Sequence, residues 1–212
     1  HAAGVRVAAR HRDRSEEGED RSGIWHVVTA TATALRDDPD GALVIPGVTF
    51  GTRLLAVGVP FDGWLPVAVP GRFEPAWAIE DDVAAIPLAP PNDHAEVLPW
   101  ADRLRDVPHL WGGGSAFGVD AGGLVHLVWR RFGVTLPRDP HDLAQAVMPL
   151  TPGEEKPGDL YFFGDGNVVN HVAFVAAPSE EASVRPMLHA DDVTGRVVLE
   201  DMPPARAATL MG

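Results

Sequence analysis

The residues able to do chemistry fall in five short segments of the C-terminal half. From position 108 the chain reads PHLWGGGSAFGVDAGGLVH, followed by LPRD at 136–139, PGDLYFF at 157–163, NHVAF at 170–174 and LHA at 188–190. Asp120 stands directly before an apolar helical pattern and can cap it, so position 121 opens a helix. A helix N-terminus carries partial positive charge and offers backbone N–H groups to an anion or a developing oxyanion. The residue there is Ala121, and the chain has no cysteine, which excludes disulfides and thiolate metal sites. His171 and His189 lie in apolar strand-like segments, and imidazoles suit proton transfer near neutral pH.

The elements that must position these groups can be read from the pattern. Over 121–132, Leu124, Val125, Leu127, Val128 and Phe132 share one helical face, and Gly133 can end the helix. Asp139-Pro140 reads as a cap followed by proline at the first helical position, opening PHDLAQAV. HAEVLPWADRLRD, from position 94, reads as a short amphipathic helix. The segments DLYFF, HVAFVAA, RPMLHA and RVVLED read as strands, with helices first and an antiparallel sheet after them, an α+β order. Before this, 25–86 shows short apolar segments punctuated by Gly, Pro and Asp, the signature of a small β domain. The proline-rich connector 87–93 separates these two regions. Residues 1 to 23 are polar, and the charge run Arg10–Arg21 predicts an exposed arm.

In order and spacing the five segments resemble the NlpC/P60 family, whose pattern is roughly Y-x-W-G-G, G-x-D-C-S-G-L, L-P-R-D, P-G-D-L-x-F-F and H-V. The resemblance implies a papain-like α+β domain over 94–212, with helices packed on an antiparallel sheet. Asp62-Gly63-Trp64 and the later Trp77 resemble a bacterial SH3-like domain, which implies a small β-barrel over 1–88. By the same resemblance the chain is a thiol hydrolase of cell-wall peptides, with its nucleophile at position 121, His171 as acid–base and His189 orienting it. The implied substrate is a peptidoglycan-derived peptide, L-Ala-γ-D-Glu-diamino acid, cut after the γ-D-glutamyl group. His109, Trp111, Asp120, Gly122 and Asp139 match positions that line or hold substrate, and Asp139 matches the acid that receives a free N-terminal amine. No cofactor is implied.

Three positions depart from that pattern. Ala121 replaces the cysteine, Gly122 the following serine, and His109 the tyrosine before L-W-G-G. The SH3-like domains of such relatives supply a tyrosine and a glutamate to the pocket. Here the only tyrosine is Tyr161, and Glu74 and Glu80 are both candidates for the acid. Two readings explain Ala121: a deliberate Cys→Ala change that stops turnover in a hydrolase, or a natural pseudoenzyme that binds wall peptides or a partner without cleaving them. Acyl or amide transfer on the same scaffold is a third possibility.

Other classes are disfavoured. A net charge of -13 argues against nucleic acid or an anionic membrane as main partner. No apolar run reaches the length of a membrane span and no signal peptide is read. The sequence starts at His1, and the compartment stays open between secreted or wall-associated and cytoplasmic. His94, His126 and His141 are read as packing or surface residues. His189 with Asp191 and Asp192 lacks a second ligand set with zinc spacing. Gly112–Gly114 has no following G-K-[ST] and is no phosphate loop.

Overall fold

The computed structural model describes residues 4–6, 23–151, 153–165, 167–177 and 185–211; the Arg10–Arg21 charge run lies outside them. The chain divides into two compact units, one of residues 11–89 with 131–133, the other of residues 1–10, 90–130 and 134–212. The first described element is strand β1, Gly4–Arg6, and it belongs to the second unit. Its place corrects the assignment of all of 1–88 to the N-terminal domain. Pairing at a strand edge uses backbone groups, so three residues can join a sheet with no apolar signature to announce them.

The N-terminal unit is one antiparallel sheet of β2 (Ile24–Val28), β3 (Ala32–Arg36), β4 (Leu43–Thr49), β5 (Arg53–Ala56), β6 (Trp64–Ala68), β7 (Ala76–Ile79) and β8 (Val83–Ala85). Its order is β4-β3-β7-β6-β5-β2-β8. Val28, Leu35, Val48, Leu54, Leu65, Val67 and Ala78 are buried together in its core. The Asp62-Gly63 pair makes the sharp turn into β6. Both residues have positive φ, 48° and 80°, and Phe61 and Trp64 exchange backbone bonds of 2.8 and 3.0 Å across them. The pairing does not close the sheet into the expected barrel. Its end strands limit closure: β4 contains Pro46, which has no N–H to donate, and β8 has three residues.

The C-terminal unit contains α1 (Leu98–Asp102), the short hairpin β9 (Gly114–Ser115) and β10 (Gly118–Val119), α2 (Ala121–Arg130), α3 (Pro140–Ala146) and β11 (Met148–Pro149). Strands β12 (Leu160–Asp165), β13 (Val168–Val175), β14 (Pro186–Asp191) and β15 (Arg196–Asp201) follow, then the single turn α4 (Pro204–Ala207). The sheet order is β11-β1-β12-β13-β14-β15, antiparallel throughout. Strand β1 lies along the start of β12, and the tail pairs with its later residues through Gly164 N–H to Thr209 and Met211 N–H to Phe162, each 2.8 Å. Helices α2 and α3 pack against β13, and α2 also against β14. Leu124, Val125, Leu127 and Val128 are buried as the helical period requires. The amphipathic segment from His94 is a 3-10 turn, His94–Val97, leading into α1. Proline at the second position of α1 suits a helix start and cannot continue an earlier one. Among the described residues no helix is long and apolar enough to cross a membrane.

Candidate active site

Position 121 is the first residue of α2, and the side chain of Ala121 is buried. Asp120 builds this helix start. Its Oδ1 accepts from the Gly123 N–H at 2.8 Å, a capping bond to the third helical residue. Its Oδ2 accepts from the Gly112 N–H at 2.9 Å and from the Arg138 guanidinium at 2.5 Å. The Arg138 guanidinium also donates to the Gly113 carbonyl at 3.1 Å. One carboxylate thus ties together the WGGG turn, the helix start and the LPRD segment. The first intrahelical bond is Leu124 N–H to Asp120 C=O at 2.9 Å, so the amides of Ala121 and Gly122 have no acceptor inside the helix. They are the donors an oxyanion would meet.

The WGGG turn holds its shape for local reasons. Gly113 N–H donates to Leu110 C=O at 2.7 Å, and Gly112 takes φ +76°, a turn position that favours glycine. A Cβ on Gly113 would stand 2.6 Å from the Gly118 carbonyl oxygen, so the hairpin β9–β10 can close over it only because it is glycine. The chain just before this turn runs along the outer edge of β15, with His109 N–H donating to Gly195 C=O at 2.8 Å and Leu110 N–H to Val119 C=O at 2.9 Å. The backbone of His109 is therefore fixed and its side chain half-buried. Trp111 is 87% exposed, so it packs beneath nothing; with exposed Leu110 and Phe117 it forms an apolar rim on this loop.

The two histidines meet. His171 Nε2 lies 2.9 Å from His189 Nδ1, with the rings edge to face at 5.0 Å. His189 Nε2 in turn lies 3.2 Å from Glu200 Oε1. The sheet register explains both contacts. Phe174 pairs with Leu188, and continuing that register sets His189 opposite Ala173, one diagonal step from His171. His189 pairs with Val198, and Glu200 is the next residue on that face of β15. His171, His189 and Glu200 form a diagonal across three adjacent strands. Sequence reasoning missed Glu200. The D-D-V-T-G-R turn could have found it, because pairing Asp191 with Arg196 sets His189 opposite Val198.

Both imidazoles are buried, and burial disfavours the charged form. It carries His171 from 6.5 down to about 3, with the Arg206 guanidinium and His189 acting in the same direction and Asp192 and Asp191 opposing. His189 is also lowered by burial, opposed by its hydrogen bond to Glu200 and by the charge of Asp191. Burial acts to raise Asp191, but bonds from Thr194 and Val193 outweigh it and hold the carboxyl below the usual range. The Arg206 guanidinium lies 3.4 Å from Asp191 and pairs with Asp192, so both acids face the same cation. Among the described residues no group of three or more His, Cys, Asp or Glu could hold a metal ion.

The remaining predicted positions divide. Asp139 is exposed, and its Oδ1 accepts from His141 N–H at 2.8 Å as the cap of α3. Gly122 lies against the LPRD backbone: a Cβ there would stand 2.0 Å from the Arg138 carbonyl oxygen. The histidines read as packing residues have structural partners. His126 Nδ1 donates to Leu136 C=O at 2.7 Å, His94 Nδ1 to buried Asp159 at 3.1 Å, and His141 Nδ1 accepts from Val169 N–H at 3.4 Å.

Residues 106–203 match the model of the NlpC/P60 family. Among curated proteins the chain is similar to a gamma-D-glutamyl-L-lysine dipeptidyl-peptidase of Bacillus subtilis, 34% identical over 80 residues that cover 37% of this chain and 27% of the relative. It is also similar to the peptidoglycan endopeptidase RipB of Mycobacterium tuberculosis, 34% identical over 127 residues covering 53% of each. The chain thus spans between about a quarter and about half the length of these relatives. The crystal structure of an NlpC/P60 family protein from Bacillus cereus matches over 98% of this chain and 77% of that one, with a TM-score of 0.77 and 21% identity. The two share a fold.

Proposed function

We propose that this chain is the disabled form of a thiol hydrolase acting on cell-wall peptides at γ-D-glutamyl–diamino acid bonds. The observation that carries the reading is the His171–His189–Glu200 chain, retained on strands packed against the helix whose first residue, Ala121, stands where a nucleophile would. Similarity to a gamma-D-glutamyl-L-lysine dipeptidyl-peptidase and to a peptidoglycan endopeptidase supports the substrate class.

With cysteine at position 121, the thiolate attacks the γ-glutamyl carbonyl carbon. The amides of residues 121 and 122 receive the oxyanion. Nδ1 of His171, the ring nitrogen not bonded to His189, takes the thiol proton and returns it to the leaving amine. Water then cleaves the thioester, releasing the acid and restoring the thiol. Asp139 receives a free N-terminal ammonium by a charge-assisted hydrogen bond. With Ala121 the chain binds such peptides and does not cut them.

The test is Ala121→Cys, assayed on L-Ala-γ-D-Glu-diamino acid peptides. Cleavage supports the reading; binding without cleavage of any γ-glutamyl peptide overturns it. A second reading, a protein that only binds, is favoured by one observation: the Arg138 carbonyl fills the space a serine at position 122 would need. Under it the site has settled around two small residues, and Ala121→Cys stays inert.

A further inference from the structure

We propose that Glu200 is a positioning residue that sets which nitrogen of each ring in the His171–His189 pair carries hydrogen, leaving the lone pair of His171 on Nδ1. The inference rests on the proposed role of His171 as acid–base group. It follows from donor and acceptor counting along the diagonal. An ionised carboxylate only accepts, so the 3.2 Å contact to Glu200 requires hydrogen on His189 Nε2. A neutral imidazole has one N–H, so His189 Nδ1 is then an acceptor. The 2.9 Å contact therefore takes its hydrogen from His171 Nε2. The one unprotonated nitrogen left in the pair without a bond to the other ring is His171 Nδ1.

This arrangement has a property that a histidine pair alone lacks. When Nδ1 of His171 gains a proton, neither hydrogen bond changes direction. Without an acceptor at Glu200, the pair can reverse: His189 donates from Nδ1, His171 accepts at Nε2, and hydrogen moves to His171 Nδ1, where it blocks the base. No other described acid is bonded to either ring. Asp191, on β14, is held by the Thr194 N–H at 2.7 Å and lies 3.4 Å from the Arg206 guanidinium, and Asp192 pairs with Arg206. The Phe163 ring, 5.6 Å from that of His171, adds no polar partner. Glu200 is partly exposed, with a third of its side chain open to water, so replacing it does not empty the core.

Long-range nitrogen–hydrogen correlation spectra of the 15N-labelled chain report which ring nitrogen is protonated, whatever the chain's activity. At neutral pH the expected result is hydrogen on Nε2 of both His171 and His189. Glu200→Gln, whose amide oxygen still accepts, keeps that pattern; Glu200→Leu loses it, and His171 becomes a mixture or carries hydrogen on Nδ1. Hydrogen on His171 Nδ1 in the parent chain overturns the proposal without any variant. So does an unchanged Nε2–H on His171 in Glu200→Leu with a native-like amide spectrum. Failure of Ala121→Cys to cleave would remove the catalytic reading and leave this result standing.

Discussion

The carbonyl oxygen of Arg138 stands 2.0 Å from where a side chain on Gly122 would begin. Helix propensity alone would make Gly122→Ser or Gly122→Ala stabilising by up to about 1 kcal/mol. The contact reverses the sign, since overpacking against backbone costs about 1–3 kcal/mol. Urea unfolding of Gly122→Ser is expected to show a net loss within that range, and a gain would mean that the LPRD segment moves freely away.

Asp120 is expected to matter more than an ordinary cap. Asp120→Ala removes the capping bond, the bond to Gly112 and the partner of Arg138 together, a loss of about 2–3 kcal/mol. Asp120→Asn, which still caps, should lose less than half of that. Equal losses from the two variants would show that the charge, and not the cap, dominates.

The buried histidines predict a pH dependence. Between pH 6.5 and about 3 the folded chain binds fewer protons at His171 than the unfolded chain does, so stability falls as pH falls through that window. The full shift corresponds to roughly 4–5 kcal/mol, an upper figure for this one group. Unfolding at pH 7.5 and pH 4.5 should separate the parent from His171→Gln, with the variant losing less. Parallel losses would refute a depressed His171.

Ala121→Cys is expected to create a thiol with a pKa below the usual value of about 8.5, from the helix N-terminus and from the imidazolium that forms when His171 takes its proton. The rate of alkylation against pH measures it. Adding His171→Ala should move the midpoint up by about a unit or more. A midpoint indifferent to His171 would place the two groups out of reach of each other.

Asp139→Asn separates two roles of one carboxylate. Asparagine caps α3 as well as aspartate does, so stability should change by less than about 0.5 kcal/mol. Affinity for peptides with a free N-terminal amine should drop about tenfold or more, while N-acetylated peptides should bind the two proteins alike. Titration calorimetry with both peptide forms decides it.

The C-terminal unit was readable in the sequence because its elements follow strong local rules. Helix α2 has an apolar face at helical spacing behind Asp120, and Asp139-Pro140 opens α3 as its cap chemistry predicts. What escaped was non-local. β1 and β11 are too short for any periodicity, and the hairpin β9–β10 is hidden in a glycine run. In the sequence Glu200 is one more acid near the end of the RVVLED segment, and only the strand register sets it beside His189. The barrel expected from turn residues became an open sheet, because local turns do not determine whether the end strands pair.

Strand β1 precedes the N-terminal unit in the chain yet lies between β11 and β12 of the other sheet. Topologically, the first unit is a loop inserted between the first and second strands of its host. A cut in the 87–93 connector would therefore leave two pieces that still interlock, the smaller lending a strand to the larger. Trimming from the N-terminus to isolate the C-terminal unit would remove β1 and leave the facing edges of β11 and β12 unpaired.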